Sequence, residues 1–370
     1  MKILLKNLKE KKQYLPFLIL LSVLCWGVFF QSLNNQFVSD DILAFVKSDK
    51  FHKIGNVLNW QNFTSNKLTY AVFYQIFGLN PIPFHVVALL MHNINCILLF
   101  LLSLKLFENK KIAYISSVLF CVHPLVTEPV NWISARHYIF NTLLVLSSTL
   151  LYLNFRKTKK RVFLVTSLAI ATLGTFVLRS AWSLILPFFI VNAELFFIGS
   201  DLKLRKKKLY PLLYFIVGVI FIGTYFIGRI QHRFDYMQGR ETQQTQGSKP
   251  NYGTRMSYTI GSAAKLLVYP KNLSLYHEGN KVSNLFLVSS QLLIVSTGVL
   301  RFYWIIEANS KLAGLLTGMY ISILPTFSPL QVSWYIADRY LYLTTALFAP
   351  SLGITLTSLV KKIKLNKLSL

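Results

Sequence analysis

A chain of 370 residues in which 54% are hydrophobic and only 14% charged is not a water-soluble domain, and its positive mean hydropathy agrees. The formal net charge of +26, from 39 Lys and Arg against 13 Asp and Glu, would suit a nucleic-acid binder if the cations covered a soluble surface. They lie instead between apolar runs, which removes nucleic acid as a partner and predicts an all-α integral membrane protein.

Apolar stretches close to bilayer-spanning length recur at Pro16–Leu33, Phe84–Phe107, Ile112–Leu125, Ile139–Phe155, Val162–Leu178, Trp182–Ile198, Tyr210–Ile227, Leu285–Val299, Leu312–Phe327 and Leu341–Val360, which makes about ten predicted spans. The first run is long for the apolar core of a signal peptide and no A-x-A site follows, so an uncleaved first helix is expected. Segments 1–15, 105–111, 156–161, 199–210, 301–311 and 361–370 hold 24 of the 39 Lys and Arg. That alternation predicts a multi-pass cell-membrane protein with both termini cytoplasmic, residues 1–360 as one membrane unit and 361–370 as a short basic tail.

Two outer loops then remain, 34–83 and 228–283, each too short for an independent domain and long enough to cover a site at the membrane surface. Within the second, Arg255–Pro270 is moderately apolar but contains Lys265 and ends in proline, and is read as an interfacial or re-entrant helix on the outer face. Cys25, Cys96 and Cys121 all fall within spans at spacings unlike a disulfide framework or a zinc site, so core packing is expected of them. No Walker-type glycine loop, H-E-x-x-H or G-x-S-x-G motif occurs.

Polar residues near the outer face carry the chemistry. Asp40 and Asp41 follow the first span and precede Ile42, Phe45, Val46, Ile54, Val57 and Leu58, a spacing that predicts an amphipathic surface helix. A carboxylate there can take a proton from a hydroxyl, and desolvation beside a second carboxylate would raise its pKa; the competing role is a helix N-cap. His92 and Asn95 are expected to hydrogen-bond between helices, whereas Glu128 and Arg136 at an outer mouth are candidate site residues. Asp338-Arg339-Tyr340 enters the last span from outside, where Arg339 can grip a phosphate with Asp338 orienting it, or anchor the helix at the interface beside aromatic-belt tyrosines.

Phe84-His85, His92 and Asn95, then His123-Pro124, Glu128 and Arg136, then Asp338-Arg339-Tyr340 and Tyr342, resemble the stations of GT-C membrane glycosyltransferases related to the O-mannosyltransferases that carry tetratricopeptide repeats. Asp40-Asp41 is similar to the acidic motif in the first outer loop of that superfamily, and Arg255 with Pro270, Leu273 and Tyr276 is similar to its later outer-loop pattern. The likeness covers the membrane portion and does not extend to the repeats. Ala88 stands where the family often has Asn, His137-Tyr138 where it often has Lys-Asp, and Ser180-Ala181 where it often has Lys-Glu.

The resemblance implies a GT-C-like fold and an inverting transfer of a sugar, mannose as first candidate, from a polyprenyl phosphate to a hydroxyl on protein, lipid or glycan. It casts Asp41 or Asp40 as base and Arg339, Arg255 or Arg136 as support for the departing phosphate, with Asp338, Tyr340, Glu128 and His123 lining the site. No metal ligand is assigned, although a divalent metal ion is compatible with the reading. Two other readings stand beside it: a transporter or flippase for a lipid-linked or anionic solute, and a non-catalytic membrane scaffold.

Overall fold

The computed structural model describes residues 12–49, 52–58, 65–178, 185–197, 216, 252–275, 277, 283–307, 310–327 and 335–368. The predicted span Tyr210–Ile227 and most of the outer loop 228–283 lie outside these residues, as do Tyr276 and Ser180-Ala181. All regular structure among the described residues is helical. The longer helices are α1 (Leu15–Phe29), α2 (Ser65–Phe77), α3 (Ile82–Phe107), α4 (Lys110–Val122), α5 (Arg136–Thr158), α6 (Arg161–Leu178), α7 (Tyr252–Val268), α8 (Asn284–Ile306), α9 (Ser310–Ile323) and α10 (Tyr342–Leu368).

Local chemistry sets the boundaries. Helix α3 ends where Glu108 adopts a left-handed conformation, and the side chain of Asn109 caps α4 by accepting from the N–H groups of Lys111 and Ile112 at 2.9 and 3.3 Å. A hairpin so tight packs α3 against α4; α5 then covers α3, and α6 covers α5. Helix α1 lies along α3 and α4, and α10 returns to pack on α4 and α5. The two helices come close at Gly353, where a Cβ would sit 3.1 Å from the Ile112 carbonyl oxygen, so only glycine allows α10 and α4 this spacing without a shift.

Among the described residues, five helical stretches are long and apolar enough to cross a membrane: Leu15–Asn34, Ile82–Phe107, Ile133–Thr158, Asn284–Ile306 and Asp338–Ile363. The pair Lys110–Val122 and Pro124–Asn131 would make a sixth if counted as one, but it bends by 54°. The cause is local: Pro124 offers no N–H, and a residue preceding proline avoids the helical region, so His123 is extended and the predicted Ile112–Leu125 span stops at Val122. Arg161–Thr172 and Leu186–Leu195 are shorter apolar helices, and α9, at 14 residues, reaches about 21 Å.

Helix α8 shows what surrounds the bundle. Leu285, Val288, Leu292, Val295, Val299, Phe302 and Ile306 recur every three or four residues and are all exposed, while Ser290 is buried against α7. A continuous apolar stripe of that length turned outward is matched to acyl chains rather than water. The cationic stretch at the end of α5 is less uniformly solvated than its charge suggests: the Arg156 side chain is only 8% exposed and pairs at 3.2 Å with Glu194, which also accepts from the Tyr152 hydroxyl at 2.9 Å.

The predicted amphipathic helix of the first outer loop forms differently. Ile42–Val46 is a single wide turn and Ile54–Leu58 a separate short helix. Phe45 and Val57 are buried whereas Leu43 and Leu58 are exposed, so the apolar spacing is real but is split between two pieces packed on the bundle. The helix-to-helix hydrogen bonds expected of His92 and Asn95 are present: His92 Nδ1 lies 2.7 Å from the Tyr342 hydroxyl, and Asn95 donates to the Ile139 carbonyl at 3.0 Å.

Candidate functional site

The two adjacent aspartates part company at Ser39, which is left-handed (φ 51°) and turns the chain so that Asp41 points inward, fully buried, while Asp40 is exposed. The Asp41 Oδ1 accepts from the Tyr70 hydroxyl at 3.1 Å and from the Ser134 hydroxyl, and Tyr70 and Ser134 are themselves 3.0 Å apart. The Val38 N–H approaches Oδ2 at 3.4 Å. Burial pushes the Asp41 carboxyl above its ordinary value, against the lowering effect of the Ser134, Val38 and Tyr70 hydrogen bonds. Desolvation raises it, as expected, but the second carboxylate has no part, because Asp40 faces away. Burial and the neighbouring Asp41 charge likewise push the Tyr70 phenol up.

An aromatic wall holds this group in place. Phe45 stacks on Tyr70 at 4.6 Å, and Phe84 meets both rings within 5.6 Å. Onto the same wall folds the guanidinium of Arg136, 5.5 Å from the Tyr70 ring and 5.2 Å from that of Phe84. Arg136 is buried and within electrostatic reach of Asp41, yet neither terminal nitrogen has a hydrogen-bond partner among the described residues. Among the described residues, both ring nitrogens of the buried His85 also lack partners of hydrogen-bond geometry. Buried donors are ordinarily paired, so two terminal guanidinium nitrogens without a partner among the described residues are the feature that asks for an anion.

A second cluster forms where the chain enters α10. Arg339 donates from one guanidinium nitrogen to Glu128 Oε1 at 2.7 Å and to the Leu275 carbonyl at 2.6 Å, and its backbone N–H donates to Glu128 Oε2 at 2.8 Å. Its guanidinium lies over Trp132 and Tyr340, 4.9 and 5.1 Å from the ring centroids. Glu128, not Asp338, therefore orients Arg339. The Asp338 carboxylate is spent on the segment that follows α7, accepting from the Ser274 N–H at 2.8 Å and meeting His277 Nε2 at 2.6 Å.

The bent segment 123–136 joins the two clusters, with Glu128 and Trp132 on Arg339, Ser134 on Asp41, and Arg136 on the aromatic wall. Other sequence candidates fall elsewhere. His123 accepts from the Leu125 N–H and meets the Leu267 carbonyl, each at 3.2 Å, which ties the bend to α7. Arg255 lies over the rings of Tyr252 and Tyr335. Sequence reasoning missed Tyr70 and Ser134, neither of which belongs to any motif, and His277, which only the fold brings to Asp338.

The amino-acid sequence is similar, over part of its length, to known proteins. The protein O-mannosyl-transferase TMTC1 of Homo sapiens matches at 30% identity over 151 residues, covering 35% of this chain and 17% of that protein. TMTC1 of Mus musculus matches at 30% over 151 residues, and TMTC3 of Homo sapiens at 32% over 85 residues, covering 23% of this chain and 9% of that protein. The chain thus spans between 9% and 17% of the length of these curated relatives. No protein-family model matches the chain, and no solved structure does.

Proposed function

We propose that this chain is a membrane glycosyltransferase that moves a sugar, mannose as first candidate, from a polyprenyl phosphate to a hydroxyl acceptor on the extracytoplasmic face. The observation that carries the reading is the pairing of a buried carboxylate, Asp41, with a buried guanidinium, Arg136, whose terminal nitrogens have no hydrogen-bond partner among the described residues. The partial similarity to O-mannosyl-transferases supports it. So does the set of apolar helices, which we read, with the alternating charge, as about ten spans and cytoplasmic termini.

In the transfer, Asp41 takes the proton of the acceptor hydroxyl as its oxygen attacks the anomeric carbon. The bond from that carbon to the lipid phosphate breaks with its electrons on phosphate, so one negative charge develops there and the anomeric centre inverts. Arg136 offers two free N–H edges to that charge in a site that excludes water, where fixed donors count for most. Ser134 and Tyr70 hold Asp41 Oδ1, leaving Oδ2, which meets only the long Val38 contact, as the oxygen that receives the proton. Glu128 and Arg339 set the entrance of α10 against the same segment and present a second cation to the lipid headgroup.

The test is transfer from radiolabelled polyprenyl phosphate sugars in membranes containing the parent chain or Asp41→Asn. Label reaching protein, lipid or glycan only with the parent supports the proposal. Equal transfer by both, at matched protein levels, removes Asp41 as base; no transfer of any sugar by well-folded parent removes the activity.

A further inference from the structure

We infer that Cys25, His92, Cys96 and Cys121 form a binding site for a single thiophilic metal ion, zinc by its charge and geometry, at the junction of α1, α3 and α4. The three sulfurs and the imidazole nitrogen all lie within 4.8 Å of one another, and all four residues are fully buried. Their sequence spacing hides this, because one ligand comes from α1, two from α3 at i and i+4 on one face, and one from α4. Tetrahedral zinc, with Zn–S of about 2.3 Å and Zn–N of about 2.0 Å, sets neighbouring donor atoms roughly 3.5–3.8 Å apart. The Cys96 Sγ already stands 3.8 Å from His92 Nε2, so closing the set requires donor atoms to move by about 1 Å or less.

The surroundings of His92 fit a ligand. Its Nδ1 is 2.7 Å from the Tyr342 hydroxyl, an oxygen that Asn95 also approaches at 3.3 Å, and this outer contact fixes the ring with Nε2 toward the sulfurs. Without metal, Nε2–H can donate to the Cys121 carbonyl at 3.2 Å while Tyr342 donates to Nδ1. With metal, the ring proton resides on Nδ1 and donates to Tyr342, freeing the Nε2 lone pair. Phe29 and Phe120 pack edge-on against the imidazole, each 5.4 Å away, and keep the cluster dry. Charge selects the ion. Thiolates form by releasing protons as metal binds, and a divalent ion with three of them leaves one net negative charge, or none if one sulfur keeps its proton; a monovalent ion leaves one more, at greater cost in a low-dielectric bundle. The ion would clamp α1, α3 and α4 together directly behind Tyr342, the residue that follows the Asp338–Leu341 turn.

The full chain, purified in detergent as a monodisperse species, should carry one zinc per molecule by elemental mass spectrometry. Exchange into cobalt should give thiolate-to-metal charge-transfer absorption with tetrahedral d–d bands, both lost in Cys96→Ser. Two measurements on the parent need no variant. Absence of bound zinc together with absence of the cobalt spectrum overturns the inference. So does denaturation without reductant in which two of the three cysteines resist alkylation until reduced, since that result assigns the cluster to a disulfide. Full alkylation of all three once the metal is chelated, with zinc found beforehand, supports it. These outcomes are independent of whether the chain transfers sugar.

Discussion

Glu128 and Arg339, 211 residues apart in the chain, are joined twice: one carboxylate oxygen takes the guanidinium at 2.7 Å and the other takes the backbone N–H of the same arginine at 2.8 Å. A side-chain contact alone would let the arginine swing; the backbone contact fixes the start of α10 as well. Arg339→Lys keeps the charge and the backbone bond but loses the planar fork and its stacking on Trp132. Donor-concentration curves should then shift by about 2 kcal/mol, roughly thirtyfold, at equal membrane levels. Superimposable curves for parent and lysine variant would restrict Arg339 to an anchoring role.

Replacing Asp41 by Asn should leave insertion intact, because the amide retains an oxygen for Ser134 and Tyr70, while turnover falls by roughly 10² to 10⁴. Its raised pKa gives the two pH effects opposite signs. The folded chain binds the Asp41 proton more readily than the unfolded one, so this group's contribution favours folding in acid and is lost as pH rises through its folded pKa. Base function needs the ionised form, so transfer should fade on acidification at a higher pH than an exposed aspartate would give. A flat acid limb down to the ordinary carboxylate range would contradict the assignment.

Ser134 exerts the strongest of the lowering influences on that carboxyl, and Tyr70 a weaker one. Ser134→Ala should therefore move the acid limb of the rate profile to higher pH, with Tyr70→Phe moving it the same way by less. The readout is the midpoint of the limb, which a general loss of folding would not displace.

Arg136 is kept against the interest of stability, since a buried cation whose terminal nitrogens have no hydrogen-bond partner among the described residues costs free energy that its two ring contacts only partly offset. Arg136→Met, similar in length and apolar, should leave the thermal midpoint in detergent unchanged or higher while abolishing transfer. A large drop in the midpoint would make the residue structural.

Glu194 has the opposite character. Removing it by Glu194→Ala leaves the largely covered Arg156 side chain without this carboxylate and deletes the Tyr152–Glu194 hydrogen bond, a loss of about 3 kcal/mol that thermal unfolding should register. Substitution of both Arg156 and Glu194 by apolar residues should recover most of it.

The membrane class, the helical content and the long helices α3, α5 and α8 are legible from apolar length alone, because nothing but lipid or a packed bundle satisfies runs such as Ile82–Phe107. The candidate residues at 41, 128, 136 and 339 are legible as charges that apolar surroundings make expensive. Their pairing is not. Asp338 precedes Arg339 in sequence and so looks like its partner, yet the turn at 338–341 sends the two side chains apart and only the fold supplies Glu128. Nor does spacing reveal that Cys25 and Cys121 meet His92 and Cys96, since helical packing, not chain proximity, sets those distances. The predicted surface helix divides into two pieces for a similar reason: a period of apolar residues says which side is buried and does not say that the backbone continues between them.

Gly353 gives the bundle a fulcrum. A Cβ at that point of α10 would stand 3.1 Å from the Ile112 carbonyl oxygen of α4, and each helix leads from that crossing toward one half of the Glu128–Arg339 pair. A methyl group inserted at the crossing would tilt the two arms, and a tilt too small to disturb the middle of the bundle grows with distance along them. The carboxylate and the guanidinium, both near the far ends, would feel the largest displacement, so a glycine with no chemistry of its own governs the alignment of two residues that have it.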